Sequence, residues 1–585
     1  MIPEMPGGFH PLLEMGSASR RRTRCLRTAR SVQSGKRGAS MNNYRIEATT
    51  LGDLLLKAAD RWPENDAVVF PDSRRTYRQM AARAYDVARS LVALGVAPGE
   101  HVDILMPNCM AYVDLILGCA VAGVVPVPIN ARFKSHEMGY VIENADLAAL
   151  FTSDIISEYA DFAKVLADVF PDLAGQPDVR RVTLAGAPRL RTLVMYGGSR
   201  PPGFMTADAF EALREDATDA QVDRRRAAVS LRQPAIMMYT SGTTANPKGC
   251  PISHESLVRN GIAMNREKYE LTPDDRMWDP LPLFHMASIL PLTALLDAGG
   301  ALISMTHFDP DLALRMIEEE AATVLFAAFP TITTALINHP DFAGRDLSRV
   351  RRINNVAPPD LMRQFEEAFP QAVQTAAYGL TEAGGVIAFG CAGDSAHHRR
   401  HACGTTFTGL QARIVDIDTG AEVPPGERGE MTIKGYAVFD GYYKDPIKTA
   451  ETLKDGWLHT GDLCSVDEDG QIQFHGRLKD MLKVGGENVA AVEIESFISN
   501  HPAVKLVQVV GVPDPRLEEV AAAFIELKPG RHVTEQEIIE FCKGRIASFK
   551  VPRHVRFVTE WPMSSTKIQK FKLREDFVAA QAAAE

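Results

Sequence analysis

From residue 50 onward, short apolar and β-branched runs alternate with stretches whose apolar positions recur at helical spacing. The runs 67–70, 102–106 and 124–128 predict strands. Between the first two, Thr76 and Gln79 form a capping box ahead of Ala84, Val87, Ala88, Leu91 and Leu94, and Gly95 closes the helix. Such alternation predicts parallel sheets covered by helices on both faces. It continues to about residue 410, with residues 170–230 polar, rich in Arg and Asp, and expected at the periphery. Beyond 410 the texture changes. Runs 412–417, 430–434 and 471–474 predict strands separated by turns at Pro424-Pro425-Gly426 and Asp469-Gly470. After Gly476 the pattern is α+β: strands at 504–512 and 521–527, a helix capped by Thr534 and Glu537, and a strand at 555–558.

The expected fold class is therefore α/β. A large N-terminal domain (41–476) has parallel sheets covered by helices and a small β-barrel-like subdomain. A small α+β domain (477–585) follows it. A chain of 585 residues exceeds one ordinary core, in keeping with that division. Residues 1–40 differ from the rest. Arg20, Arg21, Arg22, Arg24, Arg27, Arg30, Lys36 and Arg37 form a basic, Ser-dotted stretch without an apolar core, expected to be disordered. Met41 is the expected working start. A mitochondrial presequence is the alternative, with Glu4 and Glu14 counting against it.

Apolar residues at 45% and charged residues at 24% are globular values, and a net charge of −10 argues against a nucleic-acid partner. The longest apolar run, 115–129, is too short to span a bilayer and contains Pro126 and Pro128, so it predicts a buried helix running into a strand. No transmembrane segment is expected. The eight cysteines are scattered without a CxxC pair, which suits reduced thiols in the cytoplasm. Cys391, Asp394, His397, His398, His401 and Cys403 lie close together, but their spacing matches no zinc finger, and Arg399 and Arg400 would repel a cation. A polar loop is the expectation there.

The most informative stretch is Tyr239-Thr240-Ser241-Gly242-Thr243-Thr244-Ala245-Asn246-Pro247-Lys248-Gly249, directly after an apolar strand at 235–238. Small hydroxyl residues and glycine let backbone amides approach an anion, the hydroxyls donate hydrogen bonds, and Lys248 supplies a cation. This is phosphate-loop chemistry, yet GxxxxGK[ST] is absent, which disfavours a kinase or ATPase of the P-loop type.

The stretch resembles the signature of the adenylate-forming superfamily: acyl-CoA synthetases, peptide-synthetase adenylation domains and luciferases. Pro282-Leu283-Phe284-His285, Ala357-Pro358, Tyr378-Gly379-Leu380-Thr381-Glu382, Thr460-Gly461-Asp462, Gly476-Arg477-Leu478-Lys479-Asp480 and Lys567 follow in that family's order over roughly 50–575. The resemblance implies an acyl-CoA synthetase that uses ATP, Mg²⁺ and coenzyme A as co-substrate, with a small-molecule carboxylic acid as the other partner and a homodimer as the expected assembly. It implies an ATP site formed by Thr240, Ser241, Gly242, Thr243, Thr244, Lys248, Ala357, Pro358, Tyr378, Gly379, Thr381, Asp462 and Arg477, with Glu382 on the metal. Lys567 would be the catalytic ammonium of adenylation, Lys479 the hinge of a mobile lid domain, and His285 the gate between carboxylate and thiol. Gly485 and Gly486, in Val484-Gly485-Gly486-Glu487-Asn488, would admit pantetheine, and Phe549 and Arg553 would touch the coenzyme A nucleotide, an ordinary surface patch being the alternative for that pair.

Two departures stand out. The family places glycine before the catalytic lysine, whereas Thr566 stands here in a loop one residue shorter from Pro562, making Lys570 an alternative to Lys567. Ala245 replaces a usual glycine in the phosphate loop. For the acyl pocket, Met286 and Ala287 follow His285 without any charge suited to an amino-acid ammonium. Asn355 and Val356 stand where the family often has two glycines before Ala357-Pro358, and are expected to narrow one wall of the acyl pocket. The expected substrate is an aliphatic (medium or long chain) or small cyclic acid. An acyl-AMP ligase loading a carrier protein and a non-catalytic nucleotide-binding relative are the alternatives.

Overall fold

The predicted strand–helix alternation becomes two parallel sheets. In a computed structural model, residues 48–240, 246–484, 487–563 and 568–582 are described. The first sheet runs Val125–Pro128, His101–Leu105, Leu147–Ser153, Thr192–Tyr196 and Met205–Thr206, all parallel. The second runs Val373–Thr375, Arg352–Asn355, Val324–Ala328, Arg276–Trp278, Ala301–Ile303 and Asp66–Phe70 in parallel. It ends on an antiparallel edge, Ser73–Thr76.

Local signals explain several elements. Thr76 and Gln79 form the expected reciprocal cap on the helix Tyr77–Ala93. The long apolar run becomes the buried helix Met110–Ala122 and then the strand Val125–Pro128. Its two prolines are tolerated because that strand is an edge, bonded only to His101–Leu105. Residues 170–230 depart from expectation. They supply the fully buried strand Thr192–Tyr196 and put Leu173, Val182, Leu184 and Leu190 into the core of the first sheet. Their charged residues dilute the average, but most of the large apolar side chains are buried.

The phosphate-loop stretch connects an antiparallel hairpin, Pro234–Thr240 with Lys248–Ser253, which is a separate two-stranded sheet. Beyond it lies an antiparallel sheet of Leu410–Val415, Gly429–Gly435, Trp457–Val466, Leu453–Lys454 and Ile472–Arg477. The last region has its own antiparallel sheet with one parallel strand, His554–Phe557. Ile494, Ile498, Ile525 and Ile538 centre the core on one of its faces, and Leu573 and Phe577 of the helix Lys570–Ala582 cover the other. Among the described residues, no helix is long and apolar enough to cross a membrane, and seven cysteines form no disulfide.

Candidate functional site

In parallel sheets, ligands collect at the carboxyl ends of strands, and that is where three of the singled-out motifs emerge. Arg276–Trp278 leads into the loop ending at His285, Arg352–Asn355 into Ala357 and Pro358, and Val373–Thr375 into Tyr378. Tyr378 sits on a two-residue strand opposite Ala388 and is buried. Its hydroxyl donates to Asp462 Oδ2 at 2.9 Å. Burial, reinforced by the Asp462 charge, pushes the phenol's pKa well up, so it remains a donor.

Asp462 is held from several sides. Gly461 takes φ +68°, a left-handed turn suited to glycine, and Thr460 Oγ1 accepts from the Asp462 amide at 3.1 Å while donating to the Met431 carbonyl. Across the strand pair, Arg477 is the register partner of Asp462, with Nε 3.3 Å from Oδ1. Lys479 lies in the single turn that follows, Leu478–Asp480; partial desolvation lowers its pKa, with Asp480 opposing.

Tyr378 and Glu382 bracket a tightly folded loop. A Cβ on Gly379 would fall 2.1 Å from the Gly385 carbonyl oxygen, so the close backbone approach requires glycine there. Thr381 and Glu382 form a single 3₁₀ turn. A Cβ on Gly385 would meet Met286 at 2.9 Å, which places this loop against the first turn of the helix Met286–Ala298. His285 is the N-cap residue of that helix, and its ring lies 4.8 Å from that of Phe284. Met286 is buried and Ala287 half-buried.

Thr240 and Lys248 face each other as the last pair of the hairpin. Ser241, Gly242, Thr243, Thr244 and Ala245 lie outside the described residues, as do Gly485, Gly486, Thr566 and Lys567. Desolvation and the neighbouring Lys448 lower the Lys248 ammonium below its ordinary range, with Asp445 and Glu382 opposing. Met563 and Ile568, on either side of Thr566 and Lys567, form an isolated antiparallel bridge. Lys570, the alternative cation, is committed to Glu495 at 2.6 Å.

Asn355 and Val356 are placed differently. Asn355 has no exposed surface. Its amide donates to Gln374 Oε1 at 2.9 Å and its carbonyl accepts from Thr333 Oγ1 at 2.7 Å, so its polar groups are engaged in the core. Val356, by contrast, is 48% exposed. Phe549 packs against the core of the last region, while Arg553 is exposed. The Cys391–Cys403 region is partly helical where a loop was expected: Ser395 caps the short helix Ala396–His401, and His398 pairs with Asp467 at 3.2 Å.

Two residues escaped the sequence reading. Glu430 accepts from the Gly461 amide at 3.0 Å and bonds His459 at 2.7 Å, bracing the Asp462 turn. Tyr442 donates to Glu382 Oε1 at 2.7 Å. The run Gly441-Tyr442-Tyr443-Lys444-Asp445-Pro446 was the only local signal for it, and that reads as a turn.

Two parallel sheets covered by helices, followed by antiparallel sheets and a small α+β region, are the fold of an adenylate-forming enzyme. The AMP-binding enzyme family model matches residues 55–443, and the model of the AMP-binding enzyme C-terminal domain matches 493–567. The chain belongs to the AMP-binding enzyme family, among its AMP-forming acyl-CoA ligases. It is 39% identical over 541 residues to the putative acyl-CoA synthetase YngI of Bacillus subtilis (strain 168), covering 90% of this chain and 97% of that one. It is 33% identical to the mitochondrial medium-chain acyl-CoA ligase ACSF2 of Rattus norvegicus, over 90% of this chain and 87% of that one. Among solved structures, the anthranilate CoA ligase AuaEII in complex with anthranoyl-AMP superposes with a TM-score of 0.80 at 28% identity, covering 92% of this chain and 98% of that one.

Proposed function

We propose that the enzyme activates an aliphatic acid of medium length in two steps. The carboxylate attacks the α-phosphorus of ATP, forming the acyl-adenylate and expelling pyrophosphate. The coenzyme A thiolate then attacks the acyl carbon, forming the thioester and expelling AMP. The observation that carries this reading is the Tyr378–Asp462–Arg477 assembly, from which the loop after Tyr378 leads to Glu382 and, through Tyr442, to Lys248.

In this reading Tyr378 stacks on adenine beside Ala357 and Pro358, and Asp462 accepts from the ribose hydroxyls with Arg477 alongside. Thr240, the hydroxyls of 241–244 and Lys248 hold the phosphates. Glu382 suits Mg²⁺: it is a hard carboxylate ligand, and among the described residues its second oxygen has no hydrogen bond or ion pair. Bound there, the cation would neutralise phosphate charge. Lys567 would offset the charge that builds between carboxylate and α-phosphate. The lid, 477–585, would then turn at Lys479 to bring 484–488 toward the adenylate, with His285 at the passage between.

The preference for an aliphatic acid is supported by the apolar helix after His285 and by the medium-chain relatives. Cysteines that form no disulfide support a cytoplasmic setting. The experiment is a thioester assay across chain lengths and aryl acids, scoring AMP and pyrophosphate. ADP as product, or a clear preference for benzoate-like acids, would overturn the reading.

A further inference from the structure

The segment 437–444 clasps three parts of the site. Ser256 Oγ donates to the Ala437 carbonyl at 2.9 Å, and the Phe439 amide donates to the Glu382 carbonyl at 2.9 Å. The Tyr443 amide donates to the Gly249 carbonyl at 2.8 Å, next to Lys248. A Cβ on Gly249 would stand 3.1 Å from Tyr443 Cβ, so the strap lies directly on the hairpin. Its position is fixed at its centre as well, because the Tyr442 amide donates to Thr449 Oγ1 at 2.9 Å and the Tyr442 ring meets Phe439 edge-on at 4.9 Å.

On this fixed strap, one side chain touches both charged members of the phosphate corner. The Tyr442 hydroxyl donates to Glu382 Oε1, while the Lys248 ammonium lies 5.5 Å from the centre of the same ring. Glu382 and Lys248 are near enough to feel each other's charge, yet no ion pair joins them. A carboxylate and an ammonium left facing each other would attract strongly in a partly desolvated site. Pairing would consume both groups before a ligand arrived. The Tyr442 side chain is engaged with both, the hydroxyl with Glu382 and the ring with Lys248.

We propose that Tyr442 is the positioning residue of this corner: its hydroxyl aims the Glu382 carboxylate, leaving one oxygen for a divalent cation, and its ring keeps Lys248 from closing onto Glu382. This rests on the reading of Glu382 and Lys248 as cation and phosphate groups. Carboxylates that ligate metals are themselves oriented by hydrogen bonds, and losing such a partner weakens metal binding by about 10- to 100-fold.

Two substitutions separate the two roles. Tyr442→Phe keeps the ring and removes the donor; Tyr442→Leu removes both. The readout is Mn²⁺ binding by electron paramagnetic resonance with a non-hydrolysable ATP analogue, with thermal midpoints recorded alongside. Tyr442→Phe should weaken Mn²⁺ about tenfold, and Tyr442→Leu should weaken it further and also weaken the analogue. Because Tyr442→Phe acts through Glu382, it should add nothing in a Glu382→Gln background, an outcome that general loss of stability would not give. Wild-type Mn²⁺ binding by Tyr442→Phe, or full additivity with Glu382→Gln, would overturn the inference. Wild-type Mn²⁺ binding by Glu382→Gln would instead overturn the reading of the site itself.

Discussion

Arg477 stands directly opposite Asp462 in an antiparallel strand pair, and Tyr378 bonds the other carboxylate oxygen. The carboxylate is thus held at both ends before any nucleotide arrives. Asp462→Asn should raise the KM for ATP about 10- to 100-fold, the scale of a lost charged hydrogen bond. The KM for coenzyme A, measured from preformed acyl-adenylate, should barely change. Steady-state kinetics on both half-reactions would show it, and equal losses in both would contradict the ribose role.

Lys567 and Lys570 make opposite predictions. Lys570 is engaged with Glu495, so Lys570→Ala should leave adenylation within a fewfold of wild type. Lys567→Ala should slow pyrophosphate release by about 10²- to 10³-fold, the cost of one preorganised charge partner in a transition state. Thioester formation from supplied acyl-adenylate should persist. A reversed ranking of the two variants would move the catalytic role to Lys570.

Gly379→Ala tests the folded loop between the aromatic and the acid. The added methyl would meet backbone rather than a flexible side chain, so relief requires the loop to shift. The expected cost is about 1–3 kcal/mol of stability, with ATP affinity falling alongside. Thermal unfolding with and without ATP would measure both; an unchanged midpoint would mean that the loop has room.

Asn355 and Val356 should behave differently although they are neighbours. Asn355→Ala leaves Thr333 and Gln374 without their partner and should cost about 1–3 kcal/mol, with the chain-length profile unchanged. Val356→Gly should leave stability within about 1 kcal/mol and shift the profile toward bulkier acids. A profile shift confined to Asn355→Ala would contradict this division.

His254 is buried, and its Nδ1 accepts from the Leu51 amide at 3.1 Å. Desolvation holds its pKa down to about 4, against 6.5 for the free side chain. The unfolded chain therefore binds the extra proton first. The neutral ring's contribution is complete above pH 6.5 and is lost as pH falls toward 4, at most about 3 kcal/mol. Denaturant unfolding between pH 7 and 4.5 should be flatter for His254→Asn than for wild type. Parallel curves would exclude His254 as a source of the acid sensitivity.

What was legible in the sequence was local. The phosphate stretch, the Tyr378–Glu382 motif and the Asp462 turn each carry their chemistry within a few residues, and the capping boxes at Thr76 and Thr534 name their own partners three positions on. Tyr442 was hidden because its partner lies 60 residues away, and nothing in a Gly-Tyr-Tyr run says which acid it will meet. The partners of Asn355 were hidden for a related reason. Its place before Ala357 says only that a side chain stands there, whereas two other polar side chains, Thr333 and Gln374, close a network around it that only strand pairing and helix packing bring together. The strand Thr192–Tyr196 was lost in the average charge of its surroundings, although five successive buried residues mark it.

The edge strand Val125–Pro128 bears on how the phosphate hairpin is seated. The hairpin strand Pro234–Thr240 lies against that edge, yet the two sheets do not join. Pro126 and Pro128 have no N–H to offer an incoming strand. The hairpin is consequently held to the scaffold by packing, Met237 and Tyr239 sharing a core with Val125 and Val127, and a shift of it would break no rung of the sheet beside it.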